Sequence, residues 1–479
     1  MNLIPAIFLG FVILFAEISR VRKLVYIDFL RGVSLSFFVI FVLVPIVIHG
    51  IGVEVDQRFY WLSWINYDEG SLSIPAQLTA LIGYFSIRFG FTLGWRLSSA
   101  ARLANKVAIS LRRLPARVWL LLALGLALFS LVSLVLYSLR RGTGIMLLLQ
   151  TAGQIRVGQY VAGIEEASFT FLTYAMQGIT ATFILLGLLK QSKPGRFWQW
   201  RFLLLVLIFS FTAVLSVIVL WMRAGRLHLL NFFLVIMLVM LVWFQSKWGL
   251  FRFAASVAVI ALVVVITVFG KYLLGVAQSP YIPEAGFVGF VSLLSAELAF
   301  PYLSLINAID ISEPYRWFLD IPLAFVYVFG VPLYVLVTGS GPQDLPLSVA
   351  KVNTLNILGT TELGEIPVDL VTFGYLSFGI SGVVIICFLF GVWISFIERV
   401  FPPGAGGVLE VLRVAWIVFI STVGVIYADP VNVLRDGLYV IMPTFVAVWL
   451  AVFSPQRKTS EVLELKDQGS GLGNRRLER

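Results

Sequence analysis

Long apolar stretches, separated by short clusters of charged residues, repeat along most of the chain. Several of them approach the roughly 20 residues that an α-helix needs to cross the hydrocarbon core of a bilayer. The pattern predicts an all-α, polytopic membrane domain over residues 1–453, with about eleven transmembrane helices. The predicted spans lie at 3–17, 33–48, 73–93, 118–138, 168–189, 202–221, 229–245, 253–270, 371–395, 408–427 and 437–453.

The Lys and Arg residues between these spans predict the orientation of the chain. If the N-terminus lies outside, the inner loops and the tail hold 23 basic residues and the short outer loops hold 7, as the positive-inside rule requires. We expect no cleavable leader, because the first basic cluster follows the first apolar stretch instead of preceding it. Residues 454–479 are predicted to form a flexible cytoplasmic tail.

A long outer segment, residues 271–370, separates the spans at 253–270 and 371–395. Two parts of it, 286–308 and 318–337, are apolar enough to cross the membrane, which would give thirteen spans. We expect membrane-facing or re-entrant helices instead. Glu297 would lie within the first part, and the second is predicted to be interrupted by Asp320, Pro322, Gly330 and Pro332.

Composition excludes several classes of protein. Of 479 residues, 59% are hydrophobic and 13% charged, and the mean hydropathy is +0.96, values that fit neither a soluble globular domain nor a disordered chain. The net charge is +10, but the Lys and Arg residues lie mainly in the predicted loops and form no basic stripe on a polar domain. We therefore predict no nucleic-acid partner. With one Cys and two His, we predict no disulfide framework, no metal site and no cofactor.

Eight of the ten basic residues on the predicted outer side are arginines. The rigid guanidinium fork binds phosphate bidentately and stays charged. We predict that Arg156, Arg226 and Arg435 form a shared anion site, with Arg223 and Arg316 as further candidates. Arg223 and Arg226 are predicted to cap a tight turn, residues 221–228, between two apolar helices, and their spacing would put both on one helical face. Arg435 is predicted to lie in a short turn. The alternative is that each arginine reaches separately to lipid headgroups.

Other outer residues suggest catalysis and sugar binding. Glu297 stands alone in an apolar stretch, and burial would raise its pKa toward the range of a general base; the alternative is a simple pair with an arginine. Tyr160, Tyr302, Tyr315 and Trp317 are predicted to stack on sugar rings, although Tyr and Trp also form the aromatic belt of membrane proteins.

The end of the long outer segment carries a Phe-Gly pattern. Residues 364–367 are Gly-Glu-Ile-Pro, and residues 373–382 are Phe-Gly-Tyr-Leu-Ser-Phe-Gly-Ile-Ser-Gly. Together with Arg156 and the nearby Tyr160 in an outer loop, and with Arg435 before the last span, this pattern resembles the Wzy-type O-antigen and capsule polymerases. The resemblance covers most of the chain between residues 140 and 450.

The resemblance implies a metal-independent, GT-C-like membrane glycosyltransferase in the bacterial inner membrane, with its active site facing the periplasm. Such an enzyme transfers a growing glycan from undecaprenyl diphosphate to the non-reducing sugar of the next lipid-linked repeat unit. The product is O-antigen of lipopolysaccharide, capsule or exopolysaccharide. The arginines would hold the lipid diphosphate and Glu297 would be the base, while membrane lipids and a chain-length-determining co-polymerase would be the partners.

Three alternatives remain at this point. An O-antigen ligase-like transferase would carry a histidine in its long outer loop, which residues 271–370 lack. A lipid-linked oligosaccharide flippase would place polar residues inside several spans, and three central spans hold almost none. A metal-dependent lipid-phosphate sugar transferase would use Asp68 and Glu69 in the first outer loop.

Overall fold

The computed structural model is built from α-helices, and no β-strand occurs in the residues that it describes. Those residues are 3–20, 28–50, 70–156, 170–192, 200–243, 257–258, 261–262, 265–266, 270, 273–274, 291, 294–295, 298–310, 316–338, 345–360 and 365–453. The helices are α1 (Ile4–Arg20), α2 (Phe29–Phe38), α3 (Val44–Gly50), α4 (Gly70–Arg96), α5 (Ser98–Arg113), α6 (Ala116–Arg140), α7 (Ile145–Arg156), α8 (Thr170–Ala175), α9 (Gln177–Gln191), α10 (Trp200–Arg223), α11 (Arg226–Trp243), α12 (Phe300–Asp310), α13 (Asp320–Phe325), α14 (Val331–Thr338), α15 (Val349–Leu358), α16 (Leu370–Val400), α17 (Gly407–Phe419) and α18 (Pro430–Phe453). Single π-helical turns follow α2, α13 and α17, at Val39–Leu43, Val326–Gly330 and Ile420–Gly424.

Eight helical stretches in the described part of the chain are long and apolar enough to cross a membrane. Each overlaps a predicted span, so the prediction of an all-α membrane protein is confirmed at this level. Of the other three predicted spans, 3–17 corresponds to the 17-residue α1, 73–93 corresponds to α4, and 253–270 lies mostly outside the described residues. The eight stretches are Phe29–His49, Ala116–Arg140, Thr170–Gln191, Trp200–Arg223, Arg226–Trp243, Leu370–Val400, Gly407–Gly424 and Pro430–Phe453.

Residues 96–117, predicted from the sequence only as an inner loop, contain the helix α5. Its buried residues, Ala104, Val107, Ala108 and Leu111, recur every three or four positions, which is the spacing of one helical face. Through this face α5 packs against α16 and α18.

The most extensive contact between two described helices joins α4 and α16. Their backbones approach closely at two glycines. A Cβ atom at Gly90 would lie 2.1 Å from the carbonyl oxygen of Phe388, and one at Gly391 would lie 2.1 Å from that of Ile87. Small residues at such crossings are how membrane helices gain close packing where the hydrophobic effect gives no advantage.

Helix α16 is broken near its beginning. Phe378 (φ −163°, ψ 41°) and Gly379 (φ 58°, ψ −149°) leave the helical conformation, and the second combination is accessible almost only to glycine. The two parts of the helix fold against each other, since a Cβ atom at Gly382 would lie 2.1 Å from the carbonyl oxygen of Gly374. The Phe-Gly pattern of residues 373–382 therefore encodes a sharp bend.

The long segment before α16 contributes short helices that pack on the membrane helices. Helix α12 contacts α4 and α16, and α13 contacts α18. The prediction that prolines interrupt residues 318–337 is wrong, because Asp320 to Thr338 is helical throughout, with one π-helical turn. Pro322 lies in the first turn of α13, where no helical hydrogen bond is lost. Of residues 286–308, the second half is described and 300–308 form most of α12, whereas 286–290, 292–293 and 296–297 lie outside the described part of the chain.

Candidate functional site

Arg223 and Asp436, 213 positions apart in the sequence, form a buried ion pair. Arg223 ends α10, and its guanidinium also donates to Thr173 Oγ1 at 2.9 Å. His228 Nε2 lies 3.6 Å from the second carboxylate oxygen of Asp436. The side chains of the pair are only 8% and 9% exposed. Asp436 thus joins the end of α10 and the first turn of α11 to α18.

Arg435 lies beside this pair and is much more exposed. It belongs to the second turn of α18, so the prediction that it lies in a turn is wrong. Its Nε is 3.0 Å from Asp436 Oδ1, and it donates to the side-chain oxygen of Asn432. Its Nη1 lies 4.0 Å from Glu365 Oε2, and the two side chains are 36% and 33% exposed. Arg435 therefore keeps part of its guanidinium open to an incoming anion.

Arg316 uses two of its three guanidinium nitrogens in contacts within the protein. Its Nε and Nη2 donate to the two oxygens of Asp320, at 2.7 and 3.0 Å, and Nη2 also donates to the carbonyl of Leu347 at 2.6 Å. Asp320 is completely buried and accepts from the backbone amide of Val349 at 2.8 Å. This bidentate pair connects α13 to the first turn of α15.

Asp429 interacts electrostatically with both the Arg435 group and the Arg316–Asp320 pair. It precedes α18 and accepts from the amide of Val431 at 2.9 Å, as an N-cap does. Burial raises the pKa of Asp429 to about 7, with further increases from Asp320 and Glu365 that Arg435 opposes. A carboxyl with a pKa near neutral exchanges its proton at physiological pH. We name these residues the arginine–carboxylate cluster: Arg223, Arg316, Arg435, Asp320, Glu365, Asp429 and Asp436.

The two other predicted arginines lie at helix ends. Ala224 adopts a left-handed conformation, with φ 48°, so α10 ends at Arg223 and α11 begins at Arg226. The prediction that both arginines lie on one helical face is therefore wrong. The stem of Arg226 packs on Gly270, where a Cβ atom would lie 2.6 Å from Arg226 Cδ. Arg156 is the last residue of α7, which packs on α10, and its side chain lies outside the described part of the structure.

Of the predicted aromatic residues that the structure describes, Tyr302 is buried and Trp317 is exposed. Tyr302 is completely buried beside His49, whose Nε2 lies 3.2 Å from the phenolic oxygen, and burial raises the pKa of Tyr302 to about 12. This burial argues against the predicted sugar contact. Trp317 is 68% exposed, and its ring centroid lies 4.7 Å from that of Phe378. Three predictions lie outside the described residues: Tyr160, Tyr315 and Glu297.

The break in α16 holds Trp317 in place. The backbone amides of Arg316 and Trp317 donate to the carbonyls of Leu376 and Ser377, at 3.1 and 3.0 Å. The bend at Phe378 frees these carbonyls from the usual helical pattern, and at membrane depth they must be paired within the protein. Trp317 itself has a positive φ of 51°, a strained conformation that recurs at functional sites.

Sequence reasoning did not single out Asp436, Asp429 or Asp320 as partners of the arginines. Asp436 is adjacent to Arg435 in the sequence, which suggests a local pair and hides the contact with Arg223. The available signal was an acidic residue in the first turns of an apolar helix, where ionisable groups are rare and paired.

A second group of charges joins α1, α2 and α4. Glu17 lies 2.8 Å from Arg20 and 3.4 Å from Arg88, and it accepts from Ser34 Oγ at 2.9 Å. Arg20 also contacts Asp28 at 2.9 Å. These side chains satisfy one another across three helices, as charges within a membrane protein must, and we assign them a structural role.

The arginine–carboxylate cluster thus offers one partly open cation, Arg435, a buried carboxyl with a raised pKa, Asp429, and a nearby exposed indole, Trp317. Among the described residues, no group of three or more His, Cys, Asp or Glu is arranged to hold a metal ion. Comparison of the chain with protein-family models, with characterised proteins and with solved structures finds no match.

Proposed function

We propose that this protein polymerises oligosaccharide repeat units carried on undecaprenyl diphosphate, at the periplasmic face of a bacterial inner membrane. The observation that carries the proposal is the convergence of Arg223, Arg316 and Arg435 from three distant segments around one set of carboxylates. The resemblance of residues 373–382 to the polymerase pattern supports it, as does the exposed Trp317 that the bend of α16 positions.

The departing diphosphate is the charge that the site must stabilise. In this proposal Arg435 exchanges its long contact with Glu365 for phosphate oxygens, and Arg226 and Arg156 add further cations. Arginines placed where negative charge develops lower the barrier without reorganising at the moment of reaction. Arg223 holds Arg435 indirectly, through the shared Asp436.

The chemical step is a glycosyl transfer. A hydroxyl of the next lipid-linked unit attacks the anomeric carbon of the growing glycan, the bond from that carbon to the diphosphate oxygen breaks, and the hydroxyl proton passes to a carboxylate. Glu297 is the base predicted from the sequence. Glu365, one third exposed beside Arg435, is the carboxylate that the described structure offers for the same role. Trp317 would stack on a sugar ring.

Purified protein in detergent, supplied with lipid-linked repeat units and no second protein, tests the proposal. We expect longer lipid-linked glycans to form, and to form equally in EDTA. A flippase would move the units between leaflets of vesicles without elongating them, and a ligase-like enzyme would transfer glycan only to an acceptor that lacks the lipid diphosphate. A requirement for divalent metal would instead favour the transferase built on Asp68 and Glu69.

A further inference from the structure

Helix α5 presents a basic surface that the proposed reaction does not use. Arg102, Lys106, Arg112 and Arg113 are all exposed. Helical spacing places Arg102, Lys106 and Arg113 opposite the buried face and Arg112 at the edge of that face. Residues 97–115 contain no Asp or Glu. Within the described part of the chain, none of the four takes part in an ion pair.

Apolar side chains are interspersed with these charges. Leu103 is 57% exposed and Ile109 50%. Helix α5 also connects the end of α4, with its half-exposed Trp95, to the membrane-length α6. A basic, amphipathic helix with exposed apolar residues between two membrane helices lies at a lipid–water boundary.

The last turn of α5 borders a cavity of about 230 Å³. Arg112 and Gln191 contribute polar groups to its wall, and Trp119 and Leu409 contribute apolar ones. The wall also includes Gly404, which follows α16, so this cavity and the arginine–carboxylate cluster lie at opposite ends of that helix. The cavity is therefore separate from the proposed active site.

We propose that α5 and this cavity bind anionic phospholipids, with one phosphate headgroup at Arg112 beside the cavity and others along Arg102, Lys106 and Arg113. The charge of the surface selects the ligand, because four exposed cations that form no ion pair within the described part of the chain, in a helix without Asp or Glu, attract the anionic leaflet. Arginine adds a bidentate contact to phosphate. The exposed Leu103 and Ile109 would meet the acyl chains of the same lipids.

Native mass spectrometry of the full-length protein, titrated with phosphatidylglycerol or with phosphatidylcholine of the same acyl chains, tests this. We expect phosphatidylglycerol to bind about tenfold more tightly. The variant R112Q/R113Q should lose that preference. R140Q/R201Q removes the same charge from two exposed arginines elsewhere and should keep it.

The conservative variant R112K/R113K keeps both positive charges and should retain most of the preference for phosphatidylglycerol. It therefore distinguishes a loss of lipid binding from a loss of folding. Equal affinity of wild type for the two lipids would overturn the proposal, as would an equal loss in R140Q/R201Q. Inorganic phosphate that displaces phosphatidylglycerol at millimolar concentration would show a simple anion site and would likewise overturn it.

Discussion

Arg223 and Arg435 contact the same oxygen of Asp436, yet their surroundings give them different tasks. Arg223 is buried and also donates to Thr173, so its charge holds helices together. Arg435 reaches solvent and only approaches Glu365. Of the two, Arg435 is the one placed to exchange partners with a substrate.

Substitution of the open arginine should stop polymerisation without unfolding the protein. We expect Arg435→Ala to lower the rate of elongation by about 10²- to 10³-fold, as loss of a transition-state contact does, and to leave single repeat units on the lipid. Arg435→Lys should also be impaired because a point charge lacks the fork. Gel analysis of lipid-linked glycans measures this, with Arg140→Ala as control. Wild-type chain lengths in Arg435→Ala, and also in Arg226→Ala and Arg156→Ala, would disprove the site.

The buried pair should matter for stability. Asp436→Asn leaves Arg223 buried without its counter-charge, and we expect a loss of about 3–5 kcal/mol in the free energy of unfolding. The midpoint of thermal unfolding in detergent measures it. Asp310→Asn, at an exposed helix end, serves as the matched control. If both variants unfold at the same temperature, the pair does not hold the helices together.

Asp429 should give the stability a pH dependence. Its pKa is raised from 3.8 to about 7 in the folded protein, so the folded state binds a proton that the unfolded state has already lost. This contribution to the free energy of unfolding is complete below pH 3.8, declines as the pH rises and is gone above about pH 7. We expect Asp429→Asn to show a smaller decrease in unfolding temperature between pH 5 and pH 8 than wild type or Asp310→Asn. Parallel curves would contradict the assignment.

At the scale of elements, the positions of the membrane helices could be predicted from the sequence. The break within α16 and the short helix α5 could not. The apolar run beginning at Leu370 indicates a membrane helix. Phe378 gives no sequence signal that the helix breaks there, because phenylalanine is a residue type that membrane helices commonly contain. The glycines give a partial signal, because Gly374 and Gly382 mark a close approach whose partner the sequence does not name. Similarly, α5 was hidden in a loop defined by its charges, although Ala104 and Leu111 have helical spacing.

Glycines of the bend should be far less replaceable than glycines in open positions. Gly382→Ala forces a Cβ atom against the carbonyl of Gly374, and Gly379→Ala imposes a side chain on a conformation reserved for glycine. We expect each to cost about 1–3 kcal/mol of stability. Gly125→Ala in α6, where no atom lies within 4 Å, should be neutral or stabilising. Thermal unfolding of the three variants measures the difference, and equal midpoints would disprove the bend.

At the scale of the whole molecule, most of the architecture follows from hydropathy and charge. In the described part of the chain, eight membrane-length helices overlap predicted spans, because in lipid a helix must satisfy its own backbone. Hydropathy does not show which helices and side chains contact one another in the folded protein. That Arg223 meets Asp436, or that α13 packs on α18, depends on contacts between distant segments. The arginines could therefore be proposed as a group, but their carboxylate partners could not.

The eleven-span topology makes a prediction about the two sides of the membrane that α6 joins: Arg140 ends α6, and Arg112 lies in α5 shortly before α6 begins. In a Cys387→Ala background, Arg140→Cys should react with a membrane-impermeant thiol reagent in intact cells, because that end of α6 is predicted to face outward. Arg112→Cys should react only after permeabilisation. Mass shifts of the purified protein measure both. The opposite pattern would invert the topology and place the arginine–carboxylate cluster in the cytoplasm.

The two hydrogen bonds from residues 316–317 to the broken turn of α16 limit how a substrate can move. Lifting that segment away would leave the carbonyls of Leu376 and Ser377 without these donors, at a cost of about 1–3 kcal/mol for each if buried. The segment is thus a fixed part of the wall and does not open like a hinged cover. If a polymer grows here, it has to move lengthwise past Trp317 after every addition. The indole would then stack on one sugar ring after another as the chain advances.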